Sequence, residues 1–154
     1  MKLLDTWKAS TIERSTAGSG PVVVLVDDLS ADRYALVWAA AEAAARDAEL
    51  RIVHTFRWLR ILDPVGNPTV DLRARGVAAR LVEAAEQHAR QIAPSLLIST
   101  RLVRGRARST LLHEARHEPG ESLLVLGPDH RRLGRSLTRQ LMHRTDAVVA
   151  VVGA

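Results

Sequence analysis

A chain of 154 residues has enough material for one domain with a substantial core, and we expect no second domain. The composition is that of a globular protein, with 47% hydrophobic and 25% charged residues and no cysteine. Disulfides, thiolate metal sites and cysteine nucleophiles are therefore excluded, and a cytoplasmic location is expected. No apolar run approaches the roughly 18 residues of a membrane span, so we expect no membrane partner.

The net charge of +5 would suit a protein that binds nucleic acid. However, only two lysines occur beside twenty arginines, and most of the arginines alternate with Glu and Asp on predicted helix faces. This pattern favours solvated faces of mixed charge. Nucleic-acid binding is therefore kept only as an alternative.

The first nineteen residues, 1–19, are predicted to be a flexible lead-in to an α/β domain over 20–154. An unbroken apolar run follows from Pro21 to Val26 and stops at two carboxylates, Asp27 and Asp28. Such a run is typical of a strand that is buried on both faces of a parallel sheet. Ser30 is the expected N-cap of a helix over 31–47, and a second strand starts at residue 50.

The remaining segments continue the alternation of helices and strands. Residues 57–70 contain prolines and a glycine, which predict a loop that is either a lid over the crevice or a cover for the core. A helix is predicted over 71–92, with an apolar stripe of Val77, Leu81, Ala84, Ala85, His88 and Ile92. Strands follow at 96–103, 122–126 and 147–152, with helices at 107–118 and 136–144. This order predicts an α/β sandwich with a mostly parallel sheet.

One local pattern matches the helical zinc-protease signature, His113-Glu114-Ala115-Arg116-His117. The longer form of that signature needs a third ligand at position 123, which is a leucine. Because Leu111, Leu112 and Ala115 define the expected core side of the helix, His113 and His117 should face solvent. We therefore assign no metal site and, since no nucleophile lies beside a base, no catalytic residues.

The segment after the fourth predicted strand is a candidate anion site. It runs from Gly127 to a helix N-terminus, where free backbone N–H groups and the helix dipole favour negative charge. Its candidate ligand-binding residues are Gly127, Arg131, Arg132, Gly134, Arg135, Ser136 and Leu137. A solvated basic turn is the alternative interpretation.

Taken together, these segments resemble the universal stress protein family. The resemblance rests on the first apolar strand with Asp27, on Ala-Glu-Leu-Arg-Ile-Val-His at 48–54, on Val103-Arg104-Gly105, on Leu-Leu-Val-Leu-Gly at 123–127 and on a closing Val-Val-Ala-Val-Val. It implies a Rossmann-like doubly wound domain with five strands in the order 3-2-1-4-5. It also implies a dimer and an ATP site in which Asp27 meets ribose and adenine, Val53 offers backbone to adenine and Gly127 begins the phosphate loop.

The phosphate loop departs from the family pattern G-x2-G-x9-G-[ST]. His130 and Arg135 stand where two glycines are usual, and the loop is several residues shorter. Because glycine permits positive φ and close approach to phosphate, these changes weaken the case for ATP as the cofactor.

We therefore expect a stress-response or signalling module that acts by binding a ligand or a protein partner, with a weakened adenine-nucleotide site and no enzymatic turnover. The alternative on the same fold is a nucleotide-hydrolysing enzyme. A homodimer is expected through the last strand, from Ala147 to Val152, because this apolar segment would otherwise leave an open sheet edge.

Overall fold

The computed structural model describes residues 3–5, 20–56, 68–117, 122–127 and 148–153. In these residues the elements, in chain order, are β1 (Leu3–Asp5), β2 (Val22–Leu25), α1 (Arg33–Arg46), β3 (Leu50–Phe56), α2 (Pro68–Ile92), β4 (Ile98–Arg104), α3 (Ala107–His117), β5 (Leu123–Leu126) and β6 (Val148–Val151). The predicted helix at 136–144 and most of the predicted loop at 57–70 lie outside the described residues. The second helix, α2, begins at Pro68, three residues before the predicted start at residue 71.

The strands form a single parallel sheet in the order β1-β6-β5-β2-β3-β4. The five strands predicted from the sequence are β2 to β6, and their observed order is the predicted 3-2-1-4-5. The α/β fold class is therefore confirmed. Since β2 lies between β3 and β5, the direction of the chain connections reverses there, and ligands of doubly wound sheets bind at such a reversal.

An additional strand, β1, lies at the edge of the sheet beside β6. Leu3, Leu4 and Asp5 pair in parallel with Val149, Ala150 and Val151. These three residues lie within the segment that was predicted as a flexible lead-in, and they form a strand. The apolar edge of β6 explains this difference, because an unpaired row of backbone groups favours any short strand that reaches it.

The sheet carries a separate apolar layer on each face. On one face, α1 and α2 pack their alanines against Val22, Val24 and Ile52. On the other face, Leu111 and Leu112 of α3 pack with Val23, Leu25, Val53, Leu124, Leu126 and Val149. Every side chain of β2 is buried, as its continuous apolar run predicts.

The first helix begins later than the sequence analysis predicted. Its N-cap is Asp32, whereas the predicted cap, Ser30, is exposed and lies in the preceding turn. The Asp32 side chain makes no capping hydrogen bond. Its carboxylate instead accepts hydrogen bonds from backbone N–H groups in the turn that follows β2. Asp47 ends the helix in the left-handed conformation, with φ of 52° and its N–H directed to the carbonyls of Ala43 and Ala44.

The buried stripe of α2 is displaced from the predicted one. Its buried positions are Ala78, Val82, Ala85 and Ala89. Of the predicted stripe, Val77 is 62% exposed and Ile92 is 36% exposed, while Leu81 packs partly against the core. Small alanines therefore face the sheet, which allows the helix to approach it closely.

Candidate ligand site at the carboxyl ends of β2, β3 and β5

The candidate site lies where the chain leaves β2 and β5. These strands pair with Val24 opposite Val125, so Asp27 and Gly127 follow neighbouring strand ends at the same edge of the sheet. On its other side β2 pairs with β3, and Val53 lies opposite Leu25. The structure thus brings together the strand ends that carry three of the predicted site residues.

Asp32 shapes the turn that follows β2. Its Oδ2 accepts hydrogen bonds from the backbone N–H groups of Asp27, at 2.8 Å, and Asp28, at 3.1 Å. Asp32 is nearly completely buried, and its backbone N–H donates to the carbonyl of Asp28 at 2.8 Å. Because charged acceptors form strong hydrogen bonds in such surroundings, the position of Asp27 depends on Asp32.

Gly127 lies directly against the same carboxylate. A Cβ placed on Gly127 would overlap Asp32 Oδ1 and lie 3.2 Å from its Cγ. The absence of a side chain at this position therefore makes room for Asp32. Glycine is thus required here for packing, independently of any phosphate that the following loop binds.

His54 is a residue of the site that the sequence analysis missed. It lies near the end of β3, where its Nδ1 is 2.7 Å from the carbonyl oxygen of Val26 and 3.6 Å from Asp27 Oδ1. The interaction with the Asp27 side chain is the main cause that raises the pKa of His54; burial opposes this effect, and the Val26 carbonyl adds to it. The only sequence signal was a histidine near the end of a strand that neighbours the aspartate.

Val53 is completely buried within β3. Its carbonyl oxygen accepts a hydrogen bond from the N–H of Val26, the residue directly after β2, at 2.9 Å. Phe56, at the end of the strand, accepts a hydrogen bond from the N–H of Gly105, which has φ of 154°. The turn after β4 is therefore attached to the same edge of the sheet, and the contact of Val53 with adenine remains a prediction.

The remaining predicted ligand-binding residues, Arg131, Arg132, Gly134, Arg135, Ser136 and Leu137, lie outside the described residues. Their role in holding phosphate therefore also stays a prediction.

The segment that matches the zinc-protease signature, His113 to His117 on α3, contributes a glutamate to a buried ion pair. His113 is exposed, as predicted, and the side chain of His117 lies outside the described part of the chain. Glu114 is buried, with its Oε2 2.7 Å from Arg51 and its Oε1 3.4 Å from Arg101. Within the described residues, no group of three or more His, Asp or Glu side chains is arranged to hold a metal ion.

The comparisons with known proteins agree with the observed fold. A family model described as "Universal stress protein family" matches residues 19–153, whereas no curated protein matches significantly. The solved UspA from Lactobacillus plantarum is 23% identical, with a TM-score of 0.68, and the match covers 88% of this chain and 99% of that one. The chain belongs to the universal stress protein family.

Two similar solved structures carry nucleotides. A universal stress protein in complex with cAMP is 21% identical, with a TM-score of 0.63, and the match covers 90% of this chain and 98% of that one. The universal stress protein from Archaeoglobus fulgidus in complex with dAMP is 18% identical, with a TM-score of 0.58 and coverages of 85% and 95%. These likenesses support the fold.

In the described part of this chain, no helix is long and apolar enough to cross a bilayer.

Proposed function

We propose that this protein is a stress-response module that binds an adenine nucleotide at the carboxyl ends of β2, β3 and β5 and acts through binding without turnover. The observation that carries the proposal is the placement of Asp27 at the reversal between β2 and β5, where the buried Asp32 holds its backbone. A carboxylate fixed at such a position is suited to accept hydrogen bonds from ribose hydroxyls. Solved complexes of two similar universal stress proteins with cAMP and dAMP support the same function.

The phosphates are proposed to contact Arg131, Arg132 and Arg135. Guanidinium groups form charge-assisted and often bidentate hydrogen bonds with phosphate, which replace part of what a glycine-lined loop supplies. Two carboxylates near the crevice, Asp27 and Asp28, oppose an anionic ligand. We therefore propose that ATP binds about tenfold or more weakly than in a site with the full glycine loop, because several hydrogen bonds of about 1 kcal/mol each are lost.

Calorimetric titration with ATP, with and without magnesium, tests this function. We expect the Arg131→Ala/Arg132→Ala/Arg135→Ala variant to bind ATP at least tenfold more weakly than the wild type, because an arginine–phosphate contact at a protein surface contributes up to about 1 kcal/mol. The matched control is Arg73→Ala/Arg80→Ala/Arg90→Ala, which removes the same charge from exposed positions of α2. ADP should not accumulate during the titration.

Two results would contradict the proposal. If the wild type binds no adenine nucleotide at millimolar concentration, the nucleotide function is refuted. If both triple variants lose the same affinity, only net charge matters and the predicted phosphate loop is not the binding element.

We also propose a homodimer along β6. In the single chain, β1 pairs with the edge of β6 through three residues. A second copy of the chain would therefore compete only with a short strand for pairing with β6. Exchange of β1 between two chains, or its displacement, would allow β6 of each chain to be covered by the other. Light scattering between about 1 and 100 µM should give the mass of a dimer at the upper end, and a monomer at every concentration would rule it out.

A further inference from the structure

His54 contacts the proposed nucleotide site from the side of β3. Its side chain is 12% exposed, whereas the Asp27 side chain is 36% exposed. The Oδ1 atom of Asp27 is itself buried on the side of His54. The exposed area of Asp27 therefore belongs to the other atoms of its side chain. Asp27 thus directs Oδ1 toward the histidine, while the remainder of its side chain is accessible to solvent.

The hydrogen bond to Val26 determines which nitrogen of His54 gains a proton. A carbonyl oxygen only accepts, so Nδ1 carries a hydrogen and donates it to Val26 at 2.7 Å. Protonation therefore occurs at Nε2 and gives the ring a positive charge, and Nδ1 of this ring lies 3.6 Å from Asp27 Oδ1. The charge of the pair changes from −1 to zero without a change in the hydrogen bond to Val26.

The charged groups that face His54 come from the connection between β2 and α1. Asp27 and Asp32 both favour the protonated ring, which agrees with the raised pKa. On β4, the residue paired with His54 is Leu102. The buried positions of α2, which packs on this part of the sheet, are alanines and a valine.

We propose that His54 is a positioning residue that holds Asp27 and, through its protonation, makes the affinity of the crevice for an adenine nucleotide depend on pH. This inference rests on the proposed function, since it concerns the regulation of the same site. When His54 is protonated, its charge fixes the Asp27 carboxylate and compensates its repulsion of phosphate. When His54 is neutral, that compensation is lost.

The direction of the pH effect follows from these charges. His54 is protonated below its pKa, which lies above the ordinary value, so the compensation is complete in mildly acidic solution and decreases as the pH rises through that pKa. Loss of one positive charge near an anionic ligand in partly exposed surroundings changes the affinity about fivefold. Nucleotide binding should therefore weaken as the solution becomes more alkaline.

The experiment is a calorimetric titration of the full chain with ATP at pH 5.5, 6.5, 7.5 and 8.5. The variant is His54→Asn, whose side-chain amide N–H replaces the Nδ1–H donor to Val26 but has no titratable charge. Because ATP itself gains a proton near pH 6 to 7, the informative quantity is the ratio of the two affinities at each pH. The control is His113→Asn, which changes an exposed histidine away from the site.

We expect the affinity ratio of wild type to His54→Asn to be about five at pH 5.5 and to fall toward one as the pH rises through the pKa of His54. His113→Asn should match the wild type at every pH. A constant ratio for His54→Asn across this range would overturn the inference while leaving nucleotide binding intact. Absence of ATP binding by the wild type at every pH would refute the proposed function instead.

A second measurement examines the pair without any nucleotide. The NMR titration of the His54 ring should give a lower pKa in Asp27→Asn than in the wild type, because the main cause of the raised pKa is removed. An unchanged His54 pKa in that variant would also overturn the inference. This result is independent of ATP binding and therefore separates failure of the pair from failure of the function.

Discussion

Replacement of Arg51 by alanine is expected to lower the free energy of unfolding by about 3–4 kcal/mol. Arg51 donates from Nη1 to Glu114 Oε2 at 2.7 Å, and the two side chains are only 6% and 3% exposed. Truncation leaves the Glu114 carboxylate buried, with the half-exposed Arg101 at 3.4 Å as an ionic neighbour. A buried carboxylate that loses its nearest and most buried cation costs far more than the loss of a surface ion pair.

The pair also connects two layers of the protein. Arg51 lies on β3, whereas Glu114 lies on α3, the helix that follows β4 in the chain. Glu49 lies 3.4 Å from Arg51 and accepts a hydrogen bond from Ser99 of β4. Loss of Arg51 should therefore loosen the contact of α3 with the sheet.

Two variants test the explanation by denaturant unfolding. Arg46→Ala breaks an ion pair of the same length, 2.7 Å to Glu42, in which the side chains are 24% and 14% exposed. It should cost less than about 1 kcal/mol. The double variant Arg51→Met/Glu114→Leu should recover most of the stability, because no charge stays buried. An Arg51→Ala cost no greater than that of Arg46→Ala would contradict the argument.

The strands were predictable because their signal is local. The continuous apolar runs at β2 and β5 require burial on both faces, and their alternation with helices restricts the sheet to a doubly wound arrangement. The position of Asp27 at the crevice follows from the same reasoning, since it is the first polar residue after β2. The family resemblance then supplied the strand order that the structure confirms.

The polar pairs were not predictable, because their partners are distant in the sequence. Arg51 and Glu114 are 63 positions apart, and His54 and Val26 are 28 positions apart. An arginine inside an apolar strand indicates that a carboxylate must be nearby, but not which one. Similarly, a histidine near a strand end indicates a site only after the neighbouring strand is known.

The errors at the two helices have different physical causes. Asp32 and Ser30 are both good N-caps, and burial of the Asp32 carboxylate against the amides of Asp27 and Asp28 decided between them. In α2, the larger residues at 77 and 92 suggested the stripe, whereas close packing on the sheet selected alanines. Tertiary contacts therefore overrode both local preferences.

Replacement of Gly127 by alanine is expected to lower the free energy of unfolding by about 3 kcal/mol, through overpacking and the loss of hydrogen bonds to a charged acceptor. The new Cβ would overlap Asp32 Oδ1, and the Cα of Asp32, 3.6 Å away, limits retreat of the backbone. If Asp32 moves, the N–H groups of Asp27 and Asp28 lose their acceptor. Denaturant unfolding measures the cost, and the amide NMR signals of Asp27 and Asp28 report the displacement.

A double-mutant cycle identifies the cause. Asp32→Ala alone should cost about 2–3 kcal/mol, because two charge-assisted hydrogen bonds are lost. Gly127→Ala added to Asp32→Ala should then cost less than about 1 kcal/mol, since the overlapping oxygen is absent. Gly76→Ala is the matched control, because nothing lies within 4 Å of its new Cβ and the residue is inside α2. That control should gain up to about 1 kcal/mol from helix propensity. Equal costs of Gly127→Ala in both backgrounds would show that the strain arises elsewhere than at Asp32.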